Sequence, residues 1–233
     1  MNVIITGGTK GLGRAIADSL ASQGANLAIC ARSQANLDDM ASTLQASYPE
    51  QTIYTHRCDV SKSDQVRTFG QEILSRWETI DVLINNAGVF RPGLLLEEDE
   101  QNLSHQIETN LYSAYHLTRL IAPRMVEQKS GHIFNMCSVA SLIALPNGGS
   151  YSISKFALLG FSKVLREELK TLGIKVTSII PGATWSDSWA GVELPEERLM
   201  QATDIAIAVS AAIQMSPSAV VEDIVLRPQL GDL

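Results

Sequence analysis

Apolar residues gather in short runs at 2–6, 27–30, 53–58, 81–84, 132–137, 175–180 and 220–226. Most of these runs are continuous rather than alternating, the pattern of strands buried on both faces. Between them, stretches with helical spacing lie at about 11–24, 34–47, 61–77, 100–128, 151–172 and 203–214. Strand–helix alternation of this kind predicts an α/β fold, a doubly wound parallel sheet of about seven strands, because parallel strands need right-handed crossovers that carry helices to both faces. No linker or internal repeat divides the chain, so a single domain over 1–233 is expected. Only 183–200 leaves the rhythm. It holds Trp185, Trp189, Pro195 and the acids Asp187, Glu193, Glu196 and Glu197. An excursion after the C-terminal end of a strand is where such folds carry a substrate loop; the plainer alternative is a surface loop with two partly buried tryptophans.

Composition narrows the partners. With 233 residues, 45% hydrophobic and 18% charged, the chain can bury a sizeable core. Twenty-five acidic against eighteen basic residues leave a formal charge of −7, which argues against nucleic acid or an anionic membrane as partner. No apolar stretch approaches the roughly 18 residues of a membrane span. Met1 runs directly into Val3-Ile4-Ile5, read as the first core strand rather than a leader, so a cytoplasmic, reducing location is expected. Cys30, Cys58 and Cys137 form no C-x-x-C pair and read as inert buried thiols. His56, His105, His116 and His132 show no metal-ligand spacing, and no metal is expected.

The first strand ends in Thr6-Gly7-Gly8-Thr9-Lys10-Gly11-Leu12-Gly13 and passes into a helix. Glycines let the backbone turn sharply and approach a pyrophosphate, while the helix N-terminus offers free N–H groups and a positive dipole end. The spacing is G-x-x-x-G-x-G. The second strand ends without the ribose-binding acid that would indicate NAD; it reads Cys30-Ala31-Arg32-Ser33 instead. Arg32 can fork onto a 2′-phosphate, with Lys10 as a second positive charge, so NADPH/NADP is preferred over NADH.

Further along stand Asn85-Asn86-Ala87-Gly88, Ser138, and Tyr151-Ser152-Ile153-Ser154-Lys155. Tyr151 and Lys155 share one face of a helix. A lysine cation beside a phenol favours its ionised form, which suits acid–base work. Ser138, after its strand, can hydrogen-bond a substrate oxygen from the same side.

Taken in order, T-G-x-x-x-G-x-G, N-N-A-G, Ser138 and Y-x-x-x-K resemble the short-chain dehydrogenase/reductase family along essentially the whole chain. The resemblance implies a Rossmann-type fold and a set of roles. Gly7, Thr9, Lys10, Gly11, Leu12 and Gly13 would cradle the pyrophosphate, and Asp59 with Val60 would hold the adenine. Asn86, Ala87 and Gly88 would line the cofactor cleft, and Asn110 would complete a proton relay through water to Lys155. Pro181-Gly182 would support the nicotinamide carboxamide, helped by the backbone of Thr184, with Ser186 keeping a phosphate contact. The family often shows P-G-x-V-x-T there, and Thr184 stands in place of the apolar residue. Asn85 is expected only to pin the loop after strand four. In the mechanism this implies, Tyr151 protonates a carbonyl oxygen, Ser138 orients it, and Lys155 serves both Tyr151 and the ribose.

Two other functions compete with an enzyme: an NADP(H)-sensing binding protein and a scaffold with a vestigial site. The sensor should have lost Tyr151 or Lys155, and this chain keeps both; cofactor oxidation with a ketone separates either rival from an enzyme. Among enzymes, the stretch 220–228 and the P-G-A-x-x-x-x-x-W pattern from Pro181 to Trp189 are most similar to bacterial sepiapterin-reductase-like carbonyl reductases, while the core motifs equally fit 3-oxoacyl-acyl-carrier-protein reductases. Inferred pocket walls of Phe90, Leu142, Trp185 and Trp189 suit a compact aromatic or bicyclic ketone that can stack, so reduction of a small ketone or aldehyde, a diketone or a pterin-like side chain, is expected. A reductase serving an acidic carrier should present basic residues at its entrance; the position before Gly173 is Leu172, and Lys129 is one candidate that remains. The family also implies pairing through the two long helices, where Tyr112, Tyr115, Leu117, Phe161, Val164 and Leu165 offer surplus apolar area, hence a homodimer or homotetramer.

Overall fold

The computed structural model describes residues 1–185 and 194–231. Seven parallel strands form one sheet: β1 (Asn2–Thr6), β2 (Asn26–Ala31), β3 (Ile53–Arg57), β4 (Val82–Asn85), β5 (Gly131–Met136), β6 (Ile174–Pro181) and β7 (Asp223–Leu226), in the order β3-β2-β1-β4-β5-β6-β7. The helices are α1 (Gly11–Ser22), α2 (Gln34–Ser47), α3 (Ser63–Arg76), α4 (Gln101–Ile107), α5 (Ser113–Gln128), α6 (Gly149–Leu169) and α7 (Ala202–Ile213).

The continuous apolar runs have a direct cause. Successive residues of a strand point to opposite faces, and here both faces are covered. Val3, Ile5, Leu27 and Ile29 pack beneath α1, α2 and α7 with Ile16, Leu20, Leu37, Met40 and Val209. Ile4, Ala28, Leu83, Ile133 and Val176 pack on the other side with Phe69, Leu117, Met125 and Leu165 of α3, α5 and α6. Each such fully buried side chain contributes about 1.5–3 kcal/mol relative to exposure. The two edge strands are the exceptions, and β3 is only half-buried along its length. β7 lies at the sheet edge with alternating exposure and is shorter than the expected 220–226.

Two expectations need correcting. Leu117 and Leu165 are core residues, 0% and 8% exposed, so they offer nothing to a second subunit, whereas Tyr112 and Val164 are exposed. A count of apolar residues does not tell which face of a helix carries them. The stretch 100–128 is also not one regular helix. α4 gives way to a π-helical turn at Glu108–Tyr112 before α5 begins.

Strand order reverses about β1: α1 and α2 lead outward to β3, and the chain then returns to β4 on the other side of β1. Ligands bind in the crevice that such a reversal opens at the carboxyl ends of the strands. Polar groups stitch the sheet below that crevice. The Asn85 side chain donates to Thr118 Oγ1 (2.9 Å) and Asn135 Oδ1 (2.8 Å), and Asn135 donates to Ser162 Oγ (2.8 Å). Asn85 therefore pins β4 to β5 and α5. The three cysteines are free and buried. Among the described residues no helix is long and apolar enough to cross a membrane, and no His/Cys/Asp/Glu group could hold a metal ion.

At the far side of the sheet, Thr177 Oγ1 must donate to the Val221 carbonyl (2.5 Å), so His132 Nε2–H donates to Thr177 (2.7 Å). Burial and the nearby Lys175 charge push His132 down to a pKa of about 3. Above about pH 6.5 the imidazole is neutral whether the chain is folded or not, and it adds no pH dependence. Below that value the unfolded chain takes up a proton that the folded one refuses, so stability falls with pH until about 3. Urea unfolding from about pH 7 downward should show this slope. His132→Gln should flatten it, and an unchanged slope would assign the acid sensitivity elsewhere.

Candidate active site

The glycine turn after β1 is held from three sides. Gly7 adopts φ +65°, and its N–H donates to the Cys30 carbonyl at the end of β2 (2.8 Å). Asn86 donates through Nδ2 to the carbonyls of Thr6 (2.9 Å) and Gly7 (3.0 Å), while the N–H groups of Asn86 and Ala87 donate to Thr6 Oγ1. A Cβ on Gly13 would stand 2.4 Å from the Gly7 carbonyl oxygen and 2.5 Å from Asn86 Nδ2. Only glycine fits there, which is why the helix can start so close under the turn. α1 begins at Gly11, and Lys10 before it provides no side-chain cap, leaving the first N–H groups suited to an anion.

A cleft of about 850 Å³ runs from this turn along the carboxyl ends of the strands. At one end it is walled by Arg32, Ser33, Asn36, Asp59 and Val60. Ser33 caps α2, accepting from the Asn36 N–H at 3.3 Å, so a second helix N-terminus faces this end. Burial of Asp59 works against its charge, but hydrogen bonds from the Ser61 side chain and N–H, with the Arg32 and Lys62 cations, hold its carboxyl below the ordinary range. The chemistry of this donor set suits a phosphorylated adenosine: cations and helix dipoles for phosphate, a polar shelf for the base.

Ser138, Tyr151 and Lys155 meet at the other end, with Asn86, Ala87, Gly88, Pro181, Gly182 and Thr184. Ser138 sits just past β5, its Oγ accepting from the Ala140 N–H at 3.1 Å as it caps a short helical turn at Val139–Ser141. Tyr151 and Lys155 extend from α6, with Lys155 Nζ 5.8 Å from the tyrosine ring centroid. Lys155 is buried, and its Nζ donates to the Met136 carbonyl at 2.8 Å. That contact fixes the amine while its remaining N–H groups stay available in the cleft. Asn110 stands in the π-helical turn. Its Oδ1 accepts from the Val89 N–H (2.7 Å), and its Nδ2 donates to the Val89 carbonyl (3.0 Å) and Ser154 Oγ (2.9 Å). The amide is thus committed to holding the loop after β4 against α6.

The expected substrate walls divide. Phe90 lines the cleft with its ring edge-on to Tyr151, centroids 4.8 Å apart. Leu142 follows the short turn after Ser138 and is exposed. Trp185 is half-buried, its N–H bonded to the Met200 carbonyl at 2.9 Å. Ser186, Asp187, Trp189 and Glu193 lie outside the described residues. Residues without a motif complete the cleft: His105 and Thr109 from the helical segment before α5, and Leu145 and Pro146 from the loop before α6. Ser33 carried a usable signal, a capping serine before a helical stretch; the others carried none. Lys129 closes α5 against Gly173, next to Leu172, at the starts of β5 and β6. A six-residue strand, about 20 Å, separates that corner from Ser138.

Comparison with known proteins shows the family. The family model for short chain dehydrogenase matches residues 1–197. The sepiapterin reductase of Chlorobaculum tepidum is 33% identical, over 99% of this chain and 97% of its own length. A 3-oxoacyl-acyl-carrier-protein reductase of Staphylococcus epidermidis is 30% identical over 90% of this chain and 89% of its own. Among solved structures, an alcohol dehydrogenase from Thermococcus sibiricus, complexed with 5-hydroxy-NADP, superposes with a TM-score of 0.88 at 27% identity, covering 98% of this chain and 96% of that one. A glycine turn under β1, Ser138 beyond β5 and the Tyr151–Lys155 pair on α6 thus stand in a chain that belongs to the short-chain dehydrogenase family of oxidoreductases.

Proposed function

We propose that the chain reduces a small free ketone or aldehyde to the alcohol with NADPH. The observation that carries this reading is the meeting of Ser138, Tyr151 and the buried Lys155 at one end of a cleft whose other end holds Arg32 and no competing ribose-binding acid on β2. When bound, the reduced nicotinamide supplies the hydride. Tyr151 gives its phenolic proton to the carbonyl oxygen, and Ser138 holds that oxygen by a hydrogen bond. Lys155, with its cation beside the ring, steadies the phenolate left behind and hydrogen-bonds the ribose. Asn86, Ala87 and Gly88 would wall the cofactor, Pro181 and Gly182 with Thr184 would back its carboxamide, and Phe90 stands edge-on to Tyr151. A second copy packs on the exposed faces of the helices around Tyr112, Phe156 and Val164, as a homodimer or larger assembly.

Support for a small free substrate comes from charge. The chain carries −7, and Lys129 is remote from Ser138 within the subunit. An acidic carrier protein would be repelled, most at low salt where screening is weakest. The Chlorobaculum relative, a sepiapterin reductase, points the same way.

Three outcomes follow. Tyr151→Phe should bind NADPH nearly as well as the parent yet turn over about 10² times more slowly, the scale of a lost general acid; retained turnover would remove Tyr151 as proton donor. NADPH should be preferred over NADH, and Arg32→Ala should cut kcat/KM for NADPH roughly tenfold to a hundredfold, the worth of a charge-assisted bond, while sparing NADH. Equal kcat/KM for both cofactors in the parent would contradict this. Finally, a free diketone and sepiapterin should each be reduced with higher kcat/KM than acetoacetyl-carrier protein. A win for the carrier-bound substrate that grows as salt is lowered would transfer the assignment to fatty-acid reduction.

A further inference from the structure

Tyr151 is the third residue of α6, in the first helical turn, where N–H groups have no intrahelical acceptors. Such a turn frays unless something outside the helix holds it. Here the residue before the tyrosine is gripped. Ser150 is fully buried, and both its N–H (3.2 Å) and its hydroxyl donate to Glu98 Oε1, a carboxylate 52 positions earlier in the chain. The other oxygen, Glu98 Oε2, accepts from Asn102 Nδ2 of α4 at 2.6 Å. The Ser150 hydroxyl, with its N–H and Asn102, holds the Glu98 carboxyl below its ordinary range.

A second contact ties the same two segments. The Gly93 N–H donates to the Asn147 carbonyl at 2.8 Å, and Gly93 pairs with Gly148. A Cβ on Gly149 would stand 2.6 Å from the Gly93 carbonyl oxygen and 3.0 Å from Glu98 Oε2, so the approach depends on glycine. The loop that begins at Val89, bound to Asn110, and bears Phe90 against Tyr151 is therefore clamped again further along, on the backbone that carries Tyr151.

We infer that Glu98 is a positioning residue for Tyr151: its carboxylate fixes the first turn of α6 against the loop after β4, setting the direction in which the phenol meets the carbonyl. This rests on the reading of Tyr151 as proton donor. Glu98 touches neither substrate nor cofactor in this account, so its loss acts on the chemical step rather than on binding. The partner arrangement also supplies a conservative variant. Asn102 Oδ1 is buried and has no hydrogen-bond partner among the described residues. Rotating that amide would present Oδ1 to the Nε2 of a glutamine at 98, while the glutamine oxygen keeps Ser150.

The test measures NADPH affinity by fluorescence, kcat with the best ketone, and the isotope effect on kcat with deuterated NADPH. Glu98→Ala should lower kcat about tenfold and raise the isotope effect, as misaimed reacting groups do, with NADPH Kd unchanged within about twofold. Glu98→Gln should restore most of kcat, and Glu97→Ala, a neighbouring exposed acid, should match the parent. If Glu98→Ala does not fold, Ser150→Ala removes the hydroxyl half of the clamp and carries the same expectation. Turnover unchanged by both, a fall in kcat matched by lost NADPH binding, or a glutamine variant as slow as the alanine one would each overturn the proposal. Tyr151→Phe run alongside separates the two readings. If it is inactive while Glu98→Ala is fully active, only the clamp is wrong; if it is active, the proton donor itself is wrong.

Discussion

The side chain of Asn86 and the missing side chain of Gly13 together hold the site open. The Asn86 amide bonds the last carbonyls of β1, and Thr6 answers by accepting from the backbone that leaves β4. Two strands that are far apart in sequence are thereby locked end to end where the strand order reverses. The helix beneath them can approach only because Gly13 has no Cβ to meet the Gly7 carbonyl. Any larger residue would push α1 away, and with it the N–H groups that suit an anion. The Ser138–Tyr151–Lys155 end inherits its registration from the same junction, since β5 pairs directly with β4.

The strands were readable because both faces of this sheet are covered, so each appears as an unbroken apolar run; the edge strand β7 is less legible for the same reason, one side being wet. The glycine turn and the tyrosine–lysine spacing were equally plain, as local geometry dictates them. What was missed depends on contacts across distance or on phase. Leu117 and Leu165 count as apolar wherever they point. The π-helical turn at Glu108–Tyr112 adds one residue to a helical stretch and leaves no compositional trace. Leu142 stands near Ser138 in sequence, yet the short turn at Val139–Ser141 carries it outward, while Leu145 and Pro146 fold back into the cleft. The Glu98–Ser150 grip joins a loop to the first turn of α6, two segments with no shared pattern.

The site also divides its work by rigidity. The groups assigned to proton transfer sit on a strand end and a long helix, each tied to the backbone: Ser138 to its own capped turn, Lys155 to Met136. The adenosine end is built from strand ends and a helix cap, with Arg32, just past β2, as its long cationic side chain. Phe90 stands against Tyr151, while the loop residues Leu145 and Pro146 supply a further wall where substrate shape can be altered with less effect on the reacting groups.

The π-helical turn bears on how this chain could change over time. A single-residue deletion between 108 and 112 would restore an unbroken helix from α4 into α5, locally a gain in regular hydrogen bonding. The same deletion would rotate Asn110 by about a hundred degrees relative to one of its flanking helices, since each helical residue turns the chain by that much. Its amide would leave Val89 and Ser154, and the loop after β4 would lose its hold on α6. A deletion that perfects the local helix therefore costs the active site its registration.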